Sequence, residues 1–404
     1  MSIAAAQRAE RVPVLDRGAV WAPDLSPEEA RWRDLGARLA RDHFAPLAAD
    51  IDAAQRYPRE SVQRLRDSGI ATMFVPRQYG GAGATLTAFC AVVEEIAQVC
   101  ASTSGIVATI QLGAGPLLMI RDEVLKRDLL RAMVERGEMV SFALSERGAG
   151  SDPASMSTEA VAEAGGWRIR GQKCWIGGGG EARRYVVFAQ TRTGSGKAGI
   201  AAFLVEADAP GVRDDCFEDK MGMRGTRTAT IELDTWVPAD RLLAEPGDGL
   251  RLAFAALDVG RITVSAQSMG MALASHRVAI AHACERRTFG QLLIDHQALA
   301  FRLADTACQL SAARMMTFGA AQAFDAGRDV SVLAAQAKLT ASETAHRAVD
   351  SALQMLGGAG YVKPHPVERM YRDQRVTEIY EGTSEIQRLL IARAIRAESI
   401  GAAA

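Results

Sequence analysis

Excess charge of either sign, disulfide spacing and an unbroken apolar run are all missing from this chain, and each absence removes a class of function. Its 404 residues carry 47 basic and 48 acidic side chains, for a formal charge of -1. That balance offers no basic stripe to a nucleic acid and none to an anionic membrane surface. Six cysteines, at positions 90, 100, 174, 216, 284 and 308, include no Cys-x-x-Cys and no histidine-paired metal spacing. They read as scattered buried thiols in a reducing compartment, not as disulfides or zinc ligands. Residues 96–120 carry no charge, but Gly105, Gly113, Gly115 and Pro116 interrupt them. A membrane span of that length would need continuous apolar residues, so two buried helices with a break at a ligand pocket are expected. Arg8, Glu10, Arg11 and Asp16 argue against a secretory leader, and the acidic residues against a mitochondrial one. A cytoplasmic location is expected.

The texture of what is present changes twice. The length allows two or three domains and a sizeable core. Ser26-Pro27-Glu28-Glu29 has the form of a capping box with proline at the first helical position. Trp32, Leu35 and Leu39 then recur at helical spacing, and helical patterns continue to about Glu138. From Phe142 short apolar runs and turns take over. Gly165-Gly166 separates two candidate strands, and Trp167 with Ile169, residues 185–189, 201–205 and 230–233 are strand-like. Pro246-Gly247-Asp248-Gly249 ends this region. Beyond it Leu299, Leu303, Ala307, Leu310 and Ala313 share one helical face. The reading is an α+β chain: a poorly ordered N-terminal extension over 1–25, a helical domain over 26–140, a β domain over 141–246 and a helical domain over 247–404.

One stretch carries more chemistry than the rest: Tyr380-Glu381-Gly382-Thr383-Ser384-Glu385-Ile386-Gln387-Arg388. The glycine lets the backbone approach a ligand closely, and Thr383 or Ser384 can cap a helix start whose amides face an anion. A carboxylate on such a turn, once desolvated, becomes a competent base near neutral pH. An isolated Glu-Gly-Thr would be an ordinary exposed cap. The full nonamer resembles the catalytic-base segment of the acyl-CoA dehydrogenases.

Further segments resemble that family in the same order. Phe142-Ala143-Leu144-Ser145-Glu146-Arg147-Gly148-Ala149-Gly150-Ser151-Asp152 is similar to its flavin- and substrate-binding segment, with small residues that let amides reach a pyrophosphate. Gly171-Gln172-Lys173-Cys174-Trp175-Ile176 resembles the strand that lays a tryptophan along the flavin. Arg286-Arg287-Thr288-Phe289-Gly290, followed by His296-Gln297, resembles the segment that meets the diphosphate of a neighbouring subunit's flavin, a role suited to a planar guanidinium. Gln354-Met355-Leu356-Gly357-Gly358-Ala359-Gly360-Tyr361 is similar to the stretch against the adenosine side. The resemblance runs from about Ser26 to Ile400.

It implies a small barrel- or sandwich-like β domain and a C-terminal four-helix bundle, assembled as a homotetramer, a dimer of dimers. It implies non-covalent FAD and oxidation of an acyl-CoA thioester to the trans-2-enoyl thioester, with an electron-transfer flavoprotein as acceptor. Glu381 would be the base. Phe142, Leu144, Ser145, Gly150, Ser151, Trp175, Ile176, Gly177, Arg286, Thr288, Phe289, His296, Gln297, Gln354, Leu356, Gly357, Gly358, Thr383 and Glu385 would hold the cofactor. Ser151, Asp258, Arg261, Tyr380 and Gly382 would meet the substrate, and no metal is involved. The same chemistry on an acyl-carrier-protein thioester, an oxidase or desulfinase on this fold, and a non-catalytic scaffold are the alternatives.

Three departures stand out. Gly177 replaces the family's usual Thr or Ser, whose hydroxyl bonds the flavin, and begins the run Gly177-Gly178-Gly179-Gly180, expected to loosen the loop and open room beside the ring. Arg147 replaces a proline, adding charge near the substrate entrance and suggesting a non-standard acyl group or carrier. Gly260 stands where some branches carry the base, so that placement fails here.

Overall fold

The computed structural model describes residues 19–192 and 195–401. The first helix, α1 (Pro27–Leu39), opens as a capping box: Glu29 N–H donates to Ser26 Oγ, and Ser26 N–H donates to the Glu29 carboxylate. Five more helices follow: α2 (Ala48–Ala54), α3 (Arg59–Asp67), α4 (Leu86–Ala97), α5 (Ala101–Met119) and α6 (Glu123–Arg136). The expected break inside residues 96–120 is misplaced. The chain breaks at 98–100, and α5 then runs without interruption through Gly105, Gly113, Gly115 and Pro116. Those glycines mark close approach instead. A Cβ on Gly113 would lie 1.8 Å from the Val140 carbonyl oxygen, and one on Gly105 2.3 Å from Met223 Cε.

Eight strands follow: β1 (Val140–Ala143), β2 (Glu159–Glu163), β3 (Gly166–Gly177), β4 (Arg184–Gln190), β5 (Ile200–Glu206), β6 (Val212–Phe217), β7 (Thr228–Pro238) and β8 (Leu242–Ala244). They are ordered β6-β7-β3-β2-β4-β5-β8, with β1 parallel to β4. Strands β2 and β3 form an antiparallel hairpin over Gly165, which takes φ 76°. β3 pairs with β7 but slips register between Lys173 and Ile176, and Trp175 sits in that bulge at φ 59°. Bulges of this kind re-aim a side chain out of a sheet.

Helix α7 (Gly249–Glu285) starts directly after the Pro-Gly-Asp turn; its 37 residues span about 55 Å at 1.5 Å each. A short ribbon, β9 (Arg287–Thr288) and β10 (Gln291–Leu292), leads to α8 (Gln297–Asp325), α9 (Ser331–Leu356), α10 (Gly358–Tyr361), α11 (Pro366–Gln374) and α12 (Ser384–Gly401). α9 packs against α7, α8 and α12, giving the four-helix bundle. Alanines at 272, 307, 313, 341, 345 and 348 form much of one seam, and small side chains let the axes approach. The buried ion pair of Arg314 with Glu94, 2.6 Å, ties α8 to α4.

Residues 19–25, expected as part of a poorly ordered extension, lie on this bundle: Val20 is buried, and Trp21 bonds Ser311 and Arg314. Residues 1–18 lie outside the described residues. Of the six thiols, expected to be buried, Cys216, Cys284 and Cys308 are exposed.

Candidate active site

Glu381 and Gly382 are consecutive residues with left-handed backbones, φ 53° and 94°. A non-glycine residue held there costs about 1–3 kcal/mol and persists only where its surroundings impose it. Here three side chains from three helices do so. Lys338 Nζ of α9 donates to the Gly382 carbonyl at 2.8 Å, and Gln387 Nε2 of α12 donates to the same oxygen at 2.8 Å. Arg261 Nε of α7 donates to the Glu381 carbonyl at 3.3 Å. Thr383 then caps α12 by accepting from Ile386 N–H at 3.4 Å, while the Ser384 hydroxyl is buried without a partner. Glu385, exposed in the first turn, has a carboxyl lowered by its own backbone N–H and by Thr383.

The Glu381 side chain reaches back over α7 at Gly260. A Cβ built there would lie 2.1 Å from Glu381 Oε2, so the carboxyl occupies the place a side chain at 260 would take. Oε2 is buried and has no hydrogen-bond partner. Burial pushes this carboxyl up to about 7, against the downward pull of Arg261 and Lys338. Asp258 and Arg261 do form an ion pair, 2.5 Å. Burial also raises the Asp258 carboxyl, with Arg261 opposing. The Tyr380 hydroxyl donates to Gln267 Oε1, and burial with the adjacent Glu381 raises that phenol.

A second group gathers at the end of β3. Cys174 N–H donates to the Ser145 carbonyl at 2.9 Å, seating the 144–152 loop on the strand. Behind the loop the fully buried Lys173 donates to the Leu144 carbonyl at 3.1 Å and to Glu146 at 2.8 Å. Burial lowers the Lys173 ammonium to about 8 in spite of Glu146. Burial likewise works against the Glu146 carboxylate, but Lys173 and bonds from Thr158 and Ser157 hold it at about 2. Trp175 is 51% exposed, and Gly148 and Gly150 face open space. Ser145 is half-buried and Ser151 exposed. Phe142 turns its ring onto Phe188, 5.0 Å away, and Leu144 and Ile176 are buried, so these three have only backbone to give a ligand.

The glycine run does not open room. Gly178 bonds the Arg227 carbonyl at 2.9 Å, and a Cβ on Gly179 would lie 2.5 Å from Ala229 Cβ. These glycines are demanded by packing under the sheet. At Gly177 a Cβ would sit 3.3 Å from the hydroxyl of Thr109 on α5.

The remaining predicted residues lie elsewhere. Arg286 follows the far end of α7, about 39 Å along the axis from Gly260 at 1.5 Å per residue. It is exposed, with no ion-pair partner among the described residues. Thr288 and Gln291 fix the His296 ring, at 3.2 and 3.0 Å, and Phe289 is 98% exposed at φ 49°. Gln297 begins α8, and Leu356 packs with Ala279, Ala283 and Leu293 at this same end. Gln354 therefore lies there with Gly357 and Gly358, both of which face open space. The structure thus splits the predicted cofactor residues between two regions, one near Glu381 and the end of β3 and one at the C-terminal end of α7.

At the Trp175 end, the outward indole, Gly148 and Gly150 facing open space and the unpartnered Oε2 of Glu381 fit a cofactor with a planar ring. Among the described residues no cluster of His, Cys, Asp and Glu is placed to hold a metal ion, and no helix is long and apolar enough to cross a membrane. Sequence reasoning missed Lys338, Gln387 and Gln267. A signal existed for Lys338: it falls on the apolar stripe of Ala334, Ala341 and Ala345.

A three-part α-β-α chain with a desolvated, unpartnered carboxyl has the build of an enzyme. Comparison with known proteins gives the class. Family models match in three parts: acyl-CoA dehydrogenase N-terminal domain over residues 26–137, middle domain over 141–236 and C-terminal domain over 247–396. The chain is 41% identical over 373 residues to a probable acyl-CoA dehydrogenase FadE25 of Mycobacterium tuberculosis, covering 92% of this chain and 96% of that one. It is 40% identical over 364 residues to cyclohexane-1-carbonyl-CoA dehydrogenase of Geobacter metallireducens, covering 90% and 96%. The structure of butyryl-CoA dehydrogenase from Megasphaera elsdenii superposes with a TM-score of 0.90 at 33% identity, covering 93% and 100%. The chain belongs to the acyl-CoA dehydrogenase family of oxidoreductases.

Proposed function

We propose that this chain is an FAD-dependent acyl-CoA dehydrogenase in which Glu381 removes the α-proton of the acyl thioester. The observation that carries the reading is the Glu381 carboxyl: Oε2 is sealed from water, has no partner and is held against Gly260. A general base works best when its pKa lies near the operating pH, and burial has moved this one there. The strained turn and its three donors fix the carboxyl in one place, which is how orientation lowers a barrier. The Glu381 N–H has no hydrogen-bond partner among the described residues. It is available to the thioester carbonyl, where it stabilises negative charge that builds as the proton leaves. The 144–152 loop, the end of β3 and the start of α12 would hold FAD, which would supply the acceptor for the β-hydride. An electron-transfer flavoprotein would be the electron acceptor.

The acyl group is short or compact. Beside Glu381, α5 and α7 are joined by buried polar contacts: Gln267 donates to Ala101 O at 3.1 Å and Ser104 Oγ at 2.9 Å and accepts from Tyr380. A long alkyl chain entering there would strand those groups, each at a cost of about 1–3 kcal/mol. The named acyl groups of the Geobacter and Megasphaera proteins, a six-membered ring and four carbons, fit that limit. Anaerobic titration with a panel of straight, branched, cyclic and dicarboxylic acyl-CoA thioesters, following flavin absorbance, tests both parts. Rapid bleaching by butyryl- or cyclohexanecarbonyl-CoA is expected. Bleaching only by chains of twelve carbons or more would overturn the short-acyl reading, and none by any member the dehydrogenase reading.

The Arg286 end of α7 completes the FAD site of a second copy in a homotetramer. Its guanidinium is exposed with no ion-pair partner among the described residues, and Phe289, Gly290, Gly357 and Gly358 face outward beside it.

A further inference from the structure

We infer that Lys338 is a positioning residue for the base, holding the Glu381 turn through the Gly382 carbonyl and setting the pH above which Glu381 can accept a proton. The inference rests on Glu381 being that base.

Lys338 is 0% exposed and lies on α9 among Ala334, Ala337 and Ala341, where an apolar side chain would pack without cost. Burying an ammonium costs several kcal/mol unless it is paired. Yet this one has no carboxylate within ion-pair distance among the described residues. Its hydrogen bond goes to a backbone oxygen, Gly382 O at 2.8 Å. That oxygen belongs to the left-handed pair that carries the base.

Two cations favour the Glu381 carboxylate, Arg261 and then Lys338. From α7, Arg261 exerts the larger pull but is paired with Asp258 at 2.5 Å. On the segment leading to the turn, Glu378 is engaged by His346 at 2.6 Å and Arg375 at 3.5 Å, and Tyr380 is a phenol bonded to Gln267. From α12, Glu385 is exposed, and Arg388 is paired with Glu343 at 2.6 Å. Lys338 from α9 is the one of the two with no ion-pair partner among the described residues. Burial lowers its ammonium to about 8, with Glu381 as the largest force opposing that fall. A nearby cation favours a carboxylate, so its removal raises the Glu381 pKa.

The test compares kcat/KM between pH 5.5 and 9.5 for the wild type, K338M, K338Q, K338R and E381Q, each checked for FAD content and thermal midpoint. In K338M the rising limb is expected to move to higher pH by about one unit. The loss is then about tenfold at pH 6.5 and shrinks toward pH 9, while K338R, which keeps the charge, returns the limb toward the wild-type position. A loss of the same factor at every pH, or no shift, overturns the inference. If K338M does not fold, K338Q against K338R decides: a shared limb overturns it, and an alkaline limb in K338Q alone supports it. An active E381Q would remove the base itself. An inactive E381Q with an unshifted K338M limb would remove only the role of Lys338.

Discussion

Two regions of α7, around Gly260 and at its C-terminal end, are built on opposite plans. Around Gly260 most polar groups of the turn are answered from within the chain: Arg261 by Asp258, the Glu381 and Gly382 carbonyls by Arg261, Lys338 and Gln387, and the Tyr380 hydroxyl by Gln267. Oε2 of Glu381 is left unanswered, along with the Ser384 hydroxyl and Gln387 Oε1. Around Arg286 the reverse holds: the guanidinium is exposed, Phe289 projects 98% exposed, and Gly290, Gly357 and Gly358 border open space. A self-contained network holds a reacting group to a fraction of an ångström. An outward-facing set of donors is half of a site, and on the proposal above the other half is a neighbour's cofactor.

Substitutions in either region test that contrast. Glu381→Gln is expected to lower kcat by 10²–10⁴-fold or more with FAD retained, since it removes the base and leaves the fold. Gly260→Ala comes next. Its methyl would collide with the carboxyl, so kcat should fall roughly 10²-fold through misplacement. Stability should hold or rise, because alanine is favoured over glycine in a helix by about 1 kcal/mol. Steady-state turnover beside thermal unfolding separates the two effects. Arg286→Ala should leave the Glu381 region untouched and weaken FAD binding about 10- to 100-fold, the loss of a charge-assisted hydrogen bond. Equilibrium dialysis of FAD reads that directly, and equal loss of kcat in fully loaded enzyme would break the comparison. The smallest effect is that of pH. Glu381 must be deprotonated, so kcat/KM should fall about tenfold per unit below about 7 and level off above it.

Much of this could be read from the sequence, because the informative features were local. The α-β-α order showed in the switch from helical spacing to short strands, and the capping box at Ser26 formed as written. Glu381 and Gly382 stood out as candidates through the nonamer 380–388 that resembles the family's base segment. The failures are tertiary. Gly113 looks like a helix breaker until the Val140 carbonyl is seen 1.8 Å from where its Cβ would be. The Gly177–Gly180 run looks loose until Ala229 is found against it. Lys338 stands on the apolar stripe of its helix, which marks it as buried, but nothing in that helix says that a left-handed carbonyl waits on the other side.

The central claim is that Glu381 is the proton acceptor, and anaerobic mixing with butyryl-CoA tests it most directly. Flavin absorbance is followed in the wild type and in E381Q at matched FAD content. Fast bleaching of the wild type with bleaching of E381Q slowed at least 10²-fold is the predicted result. Equal bleaching of both proteins would contradict it.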